Sequence, residues 1–109
     1  MASLLLVLTS SPRSQSGRRA LALAESLAGQ GHALTLCCLQ DAVLLGSAHS
    51  PREAGSSLDR LLAQGTRCVV LREDLACRGL KPSAHALTLD HAGAAALLAG
   101  EHDRVIGAL

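Results

Sequence analysis

The chain has 109 residues, with ten basic and nine acidic side chains and a formal net charge of +1. That near balance removes the usual electrostatic basis for binding nucleic acid or an anionic membrane, and the length predicts one domain over residues 1–109. Phe, Tyr and Trp are all absent, so base-stacking platforms and aromatic cages are excluded and the core must be built from Leu, Val, Ala and Cys, with some stability expected from subunit contacts.

Taken in order, the apolar run Leu4–Leu8 predicts a buried first strand over residues 3–8. No positive residue precedes the run and arginine arrives only after it, so a strand is a better reading than a secretion signal. No stretch approaches the length of a membrane span. A polar loop, 9–17, leads into a helix from Ser16 or Gly17 to Ala28. Its Ala20, Leu23, Ala24, Leu27 and Ala28 form one apolar face, and Gly29 and Gly31 end it. The second strand is expected at 33–39, followed by a short turn over 42–45 with Asp41 as its cap. Residues 46–56 form the most irregular segment. Ser56-Ser-Leu-Asp59 resembles a capping box for a helix that buries Leu58, Leu61 and Leu62 before Gly65.

The stretch 67–80 is the centre of the chain. Cys68 to Leu71 is an unbroken apolar run suited to a strand covered on both faces. Glu73 and Asp74 favour the first turn of a short helix, and Gly79 closes it. A weaker strand follows at 84–89. Asp90 then caps a helix ending at Gly100, and 104–108 reads as the last strand. This alternation predicts a small doubly wound, mostly parallel α/β sheet of four to five strands with helices on both faces. In such sheets, the space beyond the carboxyl ends of the strands is where ligands and reacting groups sit.

Four cysteines without a secretory context read as reduced thiols in a cytoplasmic protein. Cys37 and Cys38 lie within a strand and Cys68 begins another, where thiols act as small hydrophobes. Cys77 is the one in a loop-facing position, beside Arg78. An adjacent cation favours a thiolate, whereas Glu73, Asp74 and the end of the helix disfavour it. Cys77, Arg78 and Asp74 are the candidate site residues, against a purely structural role for the cysteine. The histidines at 32, 49, 85, 91 and 102 offer no metal-ligand spacing, there is no Cys-x-x-Cys, and His102 reads as part of a solvated turn, so no metal is expected. No nucleophile-elbow motif supports a Ser-His-Asp arrangement.

Loop 9–17 raises a separate possibility. Its hydroxyls, Gly17 and an arriving helix N-terminus could hold a phosphate near Arg13, Arg18 or Arg19. Ser11-Pro-Arg-Ser-Gln-Ser resembles the small Ser-x-Arg loop of flavodoxin-like, NADPH-dependent flavin reductases, which would make the chain a small flavin or nucleotide binder. A polar turn with a helix cap is the favoured reading, and no cofactor is expected.

Two other segments resemble the DsrE/DsrF/DsrH-like family, nearest its DsrH/TusB branch. Leu36-Cys-Cys-Leu-Gln-Asp-Ala-Val43 is similar to that family's strand followed by Gln/Glu-Asp-Gly-Val. Leu71-Arg-Glu-Asp-Leu-Ala-Cys-Arg-Gly-Leu80 is similar to its Leu-x-Glu-Asp-Leu-x-Ala-Arg-Gly-Leu segment. Ser11-Pro12 and the closing Glu-His-Asp-Arg-Val also sit where that branch has similar residues. The resemblance implies a subunit of an intracellular sulfur-relay system that traffics persulfide for tRNA 2-thiouridine formation or sulfur oxidation. It implies a possible sulfurtransferase role, working mainly through assembly into trimers or hexamers. The implied partners are DsrE/DsrF- or TusC/TusD-like subunits, or further copies of the chain, together with a sulfur-donor protein, and neither nucleic acid nor membrane directly. At the carrier-cysteine position of DsrE- or TusD-like subunits this chain has Leu71, and Cys77 replaces the usual alanine. A non-catalytic structural or binding subunit is the alternative.

Overall fold

Leu4, Leu5, Leu6 and Leu8 are buried, as are Cys68 to Leu71, which is the pattern of strands covered from both sides. The computed structural model describes residues 2–108. In chain order its elements are β1 (Ser3–Leu8), α1 (Gln15–Gly29), β2 (Ala33–Cys38), a single 3₁₀ turn (Gln40–Leu44), α2 (Arg52–Ala63), β3 (Arg67–Leu71), α3 (Arg72–Cys77), β4 (Leu87–Leu89), α4 (His91–Ala99) and β5 (Arg104–Ala108). The five strands form one sheet in the order β4-β3-β2-β1-β5, with every pair parallel.

Three steps run one way across the sheet, from β1 to β4, and the last returns from one edge to the other. Right-handed crossovers therefore place α1 and α2 on one face and α4 on the opposite face. The first face is the main core. Leu4, Leu6, Leu8, Leu34, Leu36, Cys38, Cys68 and Val70 pack there against Ala20, Leu21 and Ala24 of α1 and Ala54, Leu58 and Leu61 of α2. Each fully buried leucine contributes roughly 1.5–3 kcal/mol. Leu5, Cys37 and Val69 point to the second face, where Ala94 of α4 is also buried. Cover there is thinner. Leu87 and Val105, paired beside Val69 and Leu5, remain 50% and 49% exposed, and Leu98 of α4 is 40% exposed.

The expected architecture stands, with its strand count fixed at five and no antiparallel strand in the sheet. Several local expectations change. Helix α2 begins at Arg52, so Ser56 and Ser57 lie inside it and no capping box forms. Its buried stripe, Ala54, Ser57, Leu58 and Leu61, has helical spacing from the first turn, and Pro51, with φ −57°, is preset to start it. Asp41 does not cap the 3₁₀ turn, whose N-cap is Leu39, because its carboxylate is engaged by Arg78. Strand β4 is only three residues long, since 81–83 turns instead toward the segment after the 3₁₀ turn. There Ala48 N–H donates to Lys81 O at 2.8 Å and Ser83 N–H to Gly46 O at 2.9 Å. Gly46 itself lies tight against β3, where a Cβ would lie 2.5 Å from Val70 Cγ1. His102 is not in a solvated turn. It is half-buried, with Nε2 3.0 Å from Leu97 O. No helix among the described residues is long and apolar enough to cross a membrane.

Candidate functional site

Strand β3 delivers the chain to the carboxyl rim of the sheet, and α3 begins at the very next residue. Leu75 alone of α3 is buried and anchors the helix. The N–H groups of Arg78 and Gly79 donate to Leu75 O and Ala76 O, and Gly79 takes φ +64°, the left-handed conformation that ends a helix. Cys77 and Arg78 thus stand at the end of a single short helix, above the strands.

Arg78 ties two loops of this rim together. Its Nε donates to Asp41 Oδ1 at 3.1 Å, its Nη2 lies 3.1 Å from the same oxygen, and its Nη1 donates to Asp74 O at 3.1 Å with Asp74 Oδ1 at 3.9 Å. Asp74 in turn accepts the Gln40 N–H on Oδ2 at 2.6 Å. Gln40 has φ +52°, a strained conformation for a residue with a side chain, and the charged acceptor across from it holds it there. Glu73 extends the network toward α4, with Oε2 3.3 Å from His91 N and 3.2 Å from His91 Nδ1. The three candidate residues from the sequence therefore share one rim. Asp74 and Arg78 are in contact, and the Arg78 guanidinium faces two carboxylates. Asp41, which the sequence suggested only as a cap, is the residue that reasoning missed; no local pattern marks a partner 37 positions away.

Of the four thiols, Cys77 is exposed and the other three are buried. The thiol of Cys38 is pushed well above its ordinary pKa by a hydrogen bond with Cys68 and by burial, and burial also raises Cys37. The same hydrogen bond lowers Cys68 in turn, against the burial that raises it, so the three thiols are core groups that do not shift together. The reading of Cys37, Cys38 and Cys68 as small hydrophobes holds.

A second concave region lies between the N-terminal halves of α1 and α2. One hollow of about 380 Å³ is lined by Pro12, Arg13, Arg18, Pro51, Arg52, Glu53 and Ala54. It shares Pro12, Arg18, Glu53 and Ala54 with an inner hollow of about 180 Å³ that reaches Ser57 and the Arg60–Glu25 ion pair. The Ser11 and Ser14 hydroxyls of the preceding loop are used locally. Ser14 Oγ donates to Ser11 O at 2.6 Å and accepts the Gly17 N–H at 3.0 Å, which is the polar turn and cap expected for this loop. Arg19 leaves the group, lining a separate surface hollow with Ser16, Leu23 and Ala108. Arg52 joins Arg13 and Arg18 instead, from a helix start that the sequence reading put five residues too late, with Ser56 rather than Pro51 as the N-cap.

Comparison with known proteins bears on the fold. No family model matches the chain, and no curated protein matches it by sequence. Among solved structures, the crystal structure of the YchN protein from E. coli superposes with a TM-score of 0.83 at 23% identity, covering 98% of this chain and 99% of that one. The chain has the YchN fold. That is a DsrE-like α/β fold, as the sequence resemblance implied, and it spans both chains from end to end.

Proposed function

We propose that this chain is a cytoplasmic sulfur-relay subunit of the DsrH/TusB kind, serving tRNA 2-thiouridine formation or sulfur oxidation. It works mainly by assembly with DsrE/DsrF- or TusC/TusD-like subunits or with further copies of itself. The observation that carries the reading is Cys77, an exposed thiol at the carboxyl rim of a DsrE-like sheet, inside the segment 71–80 that resembles the family motif. In the step assigned to it, the Cys77 thiolate attacks the terminal sulfur of a donor persulfide. A new S–S bond forms, the donor's S–S bond breaks, and the donor leaves as a thiolate, so one sulfur moves with no net oxidation or reduction. Arg78 and Asp74 shape the rim on which the donor docks. Apolar surface at Leu87, Leu98 and Val105, around the single helix of the second face, supports assembly with other subunits.

Intact-mass measurement after incubation with a cysteine desulfurase and cysteine tests the carrier step. A gain of one sulfur atom that disappears in Cys77→Ser supports it, and absence of any gain refutes it. One observation favours the alternative, a non-catalytic structural subunit: the guanidinium beside Cys77 is already answered by Asp41 and Asp74 and is not free to pair with an incoming sulfur anion. Complex formation with partner subunits but no mass gain is the result that reading requires.

A further inference from the structure

The groove between α1 and α2 collects positive charge that no ion pair among the described residues answers in full. Arg13 comes from the loop after β1, Arg18 from the first turn of α1, and Arg52 from the first residue of α2, and all three line the outer hollow. None of them forms an ion pair among the described residues, whose ion pairs are Arg60–Glu25, Arg78–Asp41, Arg78–Asp74 and His91–Glu73. Glu53 is the one carboxylate in that hollow, so cations outnumber it three to one. A concave wall focuses such a field.

Backbone donors add to it. The twelve-residue helix α2 begins at Arg52, after Pro51, with no side chain capping it, so the N–H groups of its first turn, at Arg52, Glu53 and Ala54, stand at the positive end of the helix dipole. Deeper in the groove, Ser57 is only 6% exposed and lines the inner hollow, yet its hydroxyl has no hydrogen-bond partner. Buried hydroxyls are normally satisfied, and one left open in the inner hollow, which shares Pro12, Arg18, Glu53 and Ala54 with the cationic outer one, points to a polar occupant of the groove.

We propose that this groove binds a tetrahedral oxyanion of the phosphate class, free or carried as an ester on a small molecule, held between Arg13, Arg18 and Arg52 at the start of α2. The outer hollow, about 380 Å³, is at the lower end of small-ligand pockets and has room for more than a bare ion. The site stands apart from Cys77 and does not rest on the sulfur-relay reading.

Titration of the full chain with inorganic phosphate, pyrophosphate and a nucleoside monophosphate, followed by amide NMR at fixed chloride, tests it. Saturable shifts are expected at Arg52, Glu53, Ala54 and Ser57. The double variant Arg13→Gln/Arg52→Gln, whose exposed sites leave the circular dichroism spectrum unchanged, should bind roughly tenfold or more weakly. Tighter binding of the ester than of the free ions assigns the phosphate to a larger ligand, and equal binding assigns it to the ion itself. Shifts that fail to saturate, that chloride reproduces, or that persist undiminished in the double variant overturn the proposal. Because Cys77→Ser should leave the titration unchanged, its outcome is independent of the persulfide experiment.

Discussion

Gly17→Ala sets helix propensity against packing at the start of α1. Alanine is favoured over glycine within a helix by roughly 1 kcal/mol, so propensity alone predicts a more stable protein. The structure predicts the opposite. A Cβ at Gly17 would overlap the Ser11 carbonyl oxygen and lie 2.7 Å from Ser11 C and 2.9 Å from Pro12 Cα, all backbone atoms that cannot rotate away. The same Ser11 oxygen receives the Ser14 N–H at 2.9 Å and the Ser14 hydroxyl at 2.6 Å, so moving it also disturbs the helix cap. Overpacking costs about 1–3 kcal/mol and a lost cap about 0.5–2 kcal/mol, which together outweigh the gain from propensity. The net expectation is a protein roughly 1–3 kcal/mol less stable, with the urea midpoint lowered by about 1 M at unchanged slope. An unchanged or raised midpoint would show that the loop yields freely and that its close approach to α1 carries no stability.

Three further outcomes follow from the rim and the core. In the native protein one thiol should react rapidly with maleimide or Ellman's reagent and all four in denaturant, with Cys77→Ser abolishing the fast phase; two or more fast thiols would contradict the burial of Cys37, Cys38 and Cys68. Because folding raises the pKa of Cys37 and Cys38, the unfolded chain releases those protons first as pH rises. Stability from this source is therefore complete below the ordinary thiol pKa of about 8.5 and is lost progressively above it, which urea melts between neutral and alkaline pH should record. Asp74→Ala removes the acceptor that holds Gln40 and should cost about 1–3 kcal/mol, whereas Asp41→Ala, at a far more exposed carboxylate, should cost about 0–1 kcal/mol in the same melts.

What the sequence revealed and what it hid divide along physical lines. Strands β1 and β3 were legible because burial on both faces needs uninterrupted apolar runs, and α4 because Asp90 does cap it, accepting the Gly93 N–H at 2.7 Å. The start of α2 was not legible. Ser56 and Ser57 offered a local cap, but tertiary burial of Ala54 one turn earlier decided the boundary, and Ser57 was turned into the core. At the rim, Cys77, Arg78 and Asp74 were found through their neighbours in sequence. Asp41 was not, because its pairing with Arg78 exists only once β2 and β3 lie side by side. The groove was half visible. Arg13 and Arg18 belong to the loop already marked for a phosphate, but Arg52 joins them only through the packing of α1 against α2.

The uneven cover of the sheet gives the molecule a preferred direction in which to breathe. One nine-residue helix of alanine, leucine, glycine and a single histidine shields Leu5, Cys37 and Val69, whereas two longer helices guard Cys38 and Cys68. Brief detachment of that lone helix leaves the main core of the other face in place and is a less costly opening than lifting α1 and α2 together. Oxidants and other slow reagents should accordingly reach Cys37 well before its neighbour in sequence, although both sulfurs are equally hidden in the closed state.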